Sequence, residues 1–177
     1  MKSKELINEY ENYFKEWTQL NYFEEIYDNK KDGNSSADIN RKIHGRKNVL
    51  FLITTTEGWA FGAFIAGHIP VPSESMQYVK DTHKHFVFTL KNPFNIEPMI
   101  LHRKKGKGMT LSVFPNSNIV YSLVIKKFCV IKKSKDENSV IHPEFNTKYE
   151  DPTQYSCCLF TGEDSINVDE IIAYQCN

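Results

Sequence analysis

No apolar run in this chain is long enough to span a membrane as a helix, and the N-terminal MKSKELINEYENYFKEW has no uninterrupted apolar stretch of the secretory kind. The expectation is a cytoplasmic protein, with the nucleus also open to it and no membrane insertion. Net charge is equally absent: 22 Lys plus Arg balance 22 Asp plus Glu, so no global field draws the molecule onto nucleic acid or an anionic bilayer. Contact with either would have to be local. Cysteine is sparse, and Cys129, Cys157, Cys158 and Cys176 show neither the CxxC spacing of a zinc site nor the framework of a disulfide domain. They read as reduced thiols. The GxxxxGK[ST] spacing of a phosphate loop does not occur either, and no cofactor is indicated.

What is present is the composition of one ordered domain. The 177 residues are 40% hydrophobic and 25% charged, far from the makeup of disordered chains. Near the start, Leu6, Tyr10, Tyr13, Trp17 and Leu20 recur at spacings of four and three, which predicts an amphipathic helix over residues 1–21 with Ser3 as its N-cap. Its stripe could pack on the body of the domain, residues 22–177, or mediate self-association through residues 6–20. A turn-rich stretch then leads into ADINRKIHG, a short helix capped by Ser35 or Ser36 and stopped near Gly45.

Asn48 to Thr56 is a β-branched apolar run, and Trp59 to Ile65 follows after Glu57-Gly58, so the two predict a hairpin whose turn Gly58 can supply with positive φ. The segment 66–81 reads as a surface loop. Further strands are expected at 85–90, 99–102, 110–114, 119–125 and 128–132, then at 156–160 and 170–175 after an exposed excursion over 133–154. Many short strands and few helices predict an α+β fold, predominantly antiparallel β, with two sheets packed as a sandwich flanked by short helices.

Four segments in order resemble the TLDc family of oxidation-resistance-like proteins. They are DGNSSADINRKIHG, LFLITTTEGWAFGAFI, FVFTLKN and LFTGEDSINVDEIIAY. In the second, Gly58, Phe61, Gly62 and Phe64 stand where the family has its turn and its Phe-Gly return strand; Gly162 and Ile171 belong to the fourth. These positions are expected to be structural. The resemblance implies the sandwich fold and a non-catalytic module with a protein partner, in protection against oxidative stress or in binding the vacuolar proton-pumping ATPase. The chain departs from the family between Lys104 and Ser122, where the Phe-Gly entry into a glycine run is missing. It departs again at Glu170-Ile171-Ile172, where many relatives carry tryptophan in the last place and this chain retains only the acid.

The residues that could carry chemistry or binding are few. Arg103, Lys104, Lys105 and Lys107, with Lys126-Lys127 and Lys132-Lys133-Lys135, could form a basic patch if their strands pair. Such a patch would meet an acidic protein surface or DNA phosphates, so a DNA-binding stress regulator stands as the alternative function. Glu170 is the acidic candidate, read as a solvated strand carboxylate, as half of an ion pair, or as a partner contact. His83 and His85 would share a face if already in a strand, without an evident third metal ligand. Cys157-Cys158, on a strand, would point to opposite faces, and a weak redox activity is the second alternative. Enzyme chemistry is not expected.

Overall fold

The computed structural model describes residues 3–80, 83–104 and 108–177. Two antiparallel six-stranded sheets face one another. The first runs β1(Phe23–Asp28), β12(Val168–Cys176), β2(Val49–Thr55), β3(Ala60–Ile65), β5(Phe86–Lys91), β6(Met99–His102). The second runs β11(Ser165–Ile166), β10(Ser139–Ile141), β9(Cys129–Lys132), β8(Tyr121–Ile125), β7(Met109–Val113), β4(Gln77–Lys80). The α+β sandwich is thus the one the strand pattern predicts.

Every residue of β2 and β3 is buried, so alternation along these strands separates two cores rather than a core from solvent. Val49, Phe51, Ile53, Phe61, Ala63 and Ile65 point between the sheets. Leu50, Leu52, Phe64, Phe86 and Phe88 point outward, into a cluster closed by the N-terminal residues Leu6 and Phe14. The predicted single helix is two: α1(Ser3–Glu9) and α2(Glu11–Thr18), broken at Tyr10, where ψ is 16°. The anchor is Phe14, fully buried, rather than Tyr13, which is half-buried. Phe14 meets Phe88 edge-on at 5.4 Å, and Trp17 lies 5.9 Å from the same ring. The stripe therefore packs on its own sheet. Ser3 lies inside α1, not before it.

Local signals held where a side chain closes the backbone. Ser35 and Asp38 form a capping box at the start of α4(Ser36–Ile43), whose Ile39 and Ile43 enter the inner core. The Glu57-Gly58 turn joins β2 to β3 with Gly58 at φ 92°. Other expectations are corrected. The loop over 66–81 contains the edge strand β4. The excursion over 133–154 contains β10 and α5(Phe145–Lys148), and Phe145 and Tyr149 are fully buried. The strand expected at 156–160 is a 3-10 helix, Ser156–Leu159, because Leu159 and Phe160 turn inward to meet Phe128 and Phe61. β1 and the short α3(Asn29–Asp32) follow α2, and β1 pairs with β12 through a register shift between Glu25 and Tyr27. No described helix is long and apolar enough to cross a membrane.

Gly62 sits opposite Leu52 and Phe88 on the outward face, and a Cβ there would lie 1.9 Å from the Phe51 carbonyl oxygen and 2.6 Å from Phe88 Cζ. Gly62→Ala should cost on the order of 3 kcal/mol through overpacking. Gly58→Ala, with open space but a left-handed φ, should cost about 1 kcal/mol. Urea midpoints that fall equally for the two variants would contradict the close approach at Gly62.

Candidate functional site

Among the described residues, the basic candidates do not gather into one patch. Arg103 bridges to Tyr149, and its Nη1 donates to the Met109 carbonyl at 2.6 Å, filling the space beside Gly108. Lys104 donates to the Asn146 carbonyl at 2.6 Å. Both are turned onto their own backbone, while Lys105 and Lys107 lie outside the described residues. Lys126 sits 4.4 Å over the Tyr78 ring, and Lys127 pairs with Glu144 at 2.5 Å. That pairing holds the Glu144 carboxyl below its ordinary range. Strands β8 and β9 do pair, yet Lys126 and Lys127 form their connecting turn, and Lys132 lies at the far end opposite Tyr121. Pairing thus separates the two lysine groups by about 13 Å at 3.3 Å per residue.

Glu170 is half of an ion pair with Lys30 rather than a solvated carboxylate. It sits on the outward face opposite Thr54 and is 8% exposed, with Lys30 Nζ 3.9 Å away. Ile172, two residues on, lies in the cluster under the N-terminal helices, so the tryptophan position of relatives is here an aliphatic part of a core. Ile171 points the opposite way, into the inner core, and Phe61 and Phe64 divide between the two cores. Gly162 closes the 3-10 turn at φ 91°, its N–H donating to the Cys158 carbonyl at 2.8 Å. Gly58 and Gly162 thus stand in turns, and Phe61, Gly62, Phe64 and Ile171 are buried within the sandwich.

The histidines and thiols are likewise committed to the fold. His83 is exposed with φ 62°, whereas His85 is buried. His85 Nδ1 donates to the Phe64 carbonyl at 2.8 Å, and Nε2 lies 2.8 Å from the Tyr149 hydroxyl. This links the two sheets, since the Tyr149 hydroxyl also reaches the Lys126 carbonyl at 3.2 Å. Cys129 and Cys176 are buried, and desolvation pushes each thiol up to about 12. Cys157 and Cys158 share the 3-10 turn, both half-buried; burial first, and then the neighbouring Cys157, raises the Cys158 thiol. A raised thiol is a weak nucleophile at neutral pH.

A cleft of about 650 Å³ opens between the β9–β10 turn and β11 on one side and α3 with the start of β12 on the other. Its floor is aliphatic: Ile131, Ile166 and Val168. Its rim carries Asn29, Asn34, Asn138 and Asn167. Three lysines reach it. Lys30 pairs with Asp169 at 2.9 Å, which raises the Lys30 ammonium, and Lys132 pairs with Glu137 at 3.2 Å. Lys135 is exposed and pairs with no carboxylate among the described residues. Sequence reasoning missed this site because its walls come from segments more than a hundred residues apart; the only local trace was the lysine run at 132–135.

The family model described as the TLDc domain matches residues 2–177, N-terminal helices included, and the chain belongs to that family. No curated protein gave a match.

Burial of the thiols has a measurable sign. The folded state keeps protons on Cys129 and Cys176 that the unfolded chain loses above about 9, so this contribution to stability is complete below that pH and falls between 9 and about 12. Denaturant midpoints should decline across that window. At neutral pH, a thiol reagent should modify Cys157 and Cys158 while leaving Cys129 and Cys176 intact. Midpoints that rise with alkaline pH, or labelling of all four thiols in folded protein, would contradict this arrangement.

Proposed function

We propose that, as a TLDc protein, this chain is a non-catalytic protein-interaction module acting in the cytoplasm, and also open to the nucleus, in oxidative-stress response or in regulation of the vacuolar proton-pumping ATPase. The family match across residues 2–177 carries this reading. Support comes from the commitment of reactive groups to the fold: both ring nitrogens of His85 are engaged, and burial raises the Cys129, Cys158 and Cys176 thiols. Cys158 therefore weighs little toward a redox activity. The DNA-binding alternative also loses weight. Its described lysines on the β8–β9 hairpin stand at opposite ends of it, and Lys127 and Lys132 are paired with Glu144 and Glu137.

Purified chain added to vesicles carrying the vacuolar ATPase should co-sediment saturably and change the rate of ATP-driven acidification. Absence of both effects at excess chain would overturn the pump assignment. Tight binding to duplex DNA that falls steeply with salt would instead favour the nucleic-acid reading.

A further inference from the structure

We propose that the exposed ring of Tyr155, stacked on Phe94, is a docking surface for an arginine in a basic segment of a partner protein, an assignment that rests on the interaction-module reading. Phe94 lies in the connection between β5 and β6, and Tyr155 immediately precedes the 3-10 helix. Their ring centroids are 3.8 Å apart with planes 13° from parallel, and no other ring pair among the described residues is as close. Phe94 thus covers one face of Tyr155, yet Tyr155 remains 43% exposed. Hydrogen bonds hold both rings in place. The Asn92 side chain accepts from the Phe94 and Ile96 N–H groups at 3.1 and 3.0 Å. The Asp151 carboxylate accepts from the Thr153 and Ser156 N–H groups at 2.9 and 2.7 Å, on either side of Tyr155. A ring fixed before binding loses little freedom when a ligand settles on it.

Charge selects the occupant. The segment from Asn92 to Leu101 has Glu97 as its single charged residue, and from Glu150 to Asn177 the chain carries no lysine, arginine or histidine. Lys91 and Lys148 flank these segments in sequence; Lys91 is held by Glu9 at 3.4 Å, and Lys148 acts on Glu144. Of the carboxylates after Glu150, Asp151 is engaged by its own turn, and Asp169 and Glu170 belong to Lys30. Glu163 and Asp164 are exposed and pair with no cation among the described residues. Their turn adjoins the rings: a Cβ on Gly162 would stand 3.4 Å from the ring of Pro93, and both carboxylates act on Cys158 in the 3-10 helix that follows Tyr155. A ring face beside unpaired carboxylates attracts a cation. Guanidinium suits it better than ammonium, because it is planar, weakly hydrated, and keeps N–H groups free for a carboxylate while it stacks. An acidic segment would be repelled, and an apolar one would cover Glu163 and Asp164 without pairing them.

The test is a titration of the intact chain, followed through the Tyr155 ring resonances, with three peptides: Gly-Arg-Gly-Arg-Gly, Gly-Lys-Gly-Lys-Gly and Gly-Glu-Gly-Glu-Gly. The arginine peptide should bind and shift those resonances. The lysine peptide should bind more weakly, and the acidic peptide should not bind. Tyr155→Ala should weaken the arginine peptide roughly fivefold, while Tyr155→Phe, which keeps the ring, should leave it unchanged. Glu163→Gln combined with Asp164→Asn should weaken it and flatten its dependence on salt. Thermal melts serve as the folding control, and if Tyr155→Ala alone lowers the melt, the charge variant decides. The assignment is overturned by failure of the arginine peptide to bind, by an affinity that neither Tyr155→Ala nor the charge variant moves, by equal binding of the lysine peptide, or by binding of the acidic one. Co-sedimentation with the pump that both variants leave unchanged would also overturn it while leaving the interaction module intact. Arginine-peptide binding with no pump association would support the docking surface and overturn the pump assignment alone.

Discussion

The burial of the first sheet on both faces is the constraint from which the remainder of this structure follows. Its central strands β12, β2 and β3 send alternate side chains into two separate cores, so neither face can be left to solvent. One face is closed by the second sheet. The other is closed by α1 and α2, through Leu6 and Phe14 and the half-buried Trp17. Full burial of a large apolar side chain stabilises by about 1.5–3 kcal/mol, and these helices also keep water from Leu50, Leu52, Phe86 and Phe88. Their combined contribution is comparable to the net stability of an ordinary domain. Gly62 belongs to the same constraint: only a residue without Cβ lets the Phe88 ring and the Phe51 carbonyl approach there.

With both faces closed, contact with other molecules is left to the edges and the ends. At one end, Arg103, Lys104 and Lys127 are tied to Met109, Asn146 and Glu144, around the His85–Tyr149 link between the sheets. Among the described residues, that end is self-satisfied. At the other, a cleft lies between the sheets, lined by Ile131, Ile166 and Val168, and Lys135 there pairs with no carboxylate among the described residues.

Much of the fold was legible because it is written locally. The run from Asn48 to Thr56 with Gly58, the capping residue Ser35, and the strands at 85–90 and 99–102 each carry their signal within a few positions. Elements with mixed partners were not legible. β1 reads FEEIYD, with charges suited to a sheet edge, and β10 holds one apolar side in a polar stretch. Phe14, next to Tyr13 in sequence, is the more deeply buried of the two, which a spacing of threes and fours does not distinguish. Cys157 and Cys158 fell on a turn, since Leu159 and Phe160 needed to reach the inner core. The site was the least legible part. Strand pairing brings lysines into one hairpin without saying at which end, and a cleft built from Asn29, Ile131 and Asp169 has no signature in any one segment.

The most direct measurement is the calorimetric unfolding of the intact chain beside one lacking residues 1–20. Closure of the outward face by α1 and α2 predicts that the shortened chain loses its cooperative transition and binds a hydrophobic dye at room temperature. A shortened chain that melts cooperatively within a few degrees of the intact one, with no dye binding, would contradict it.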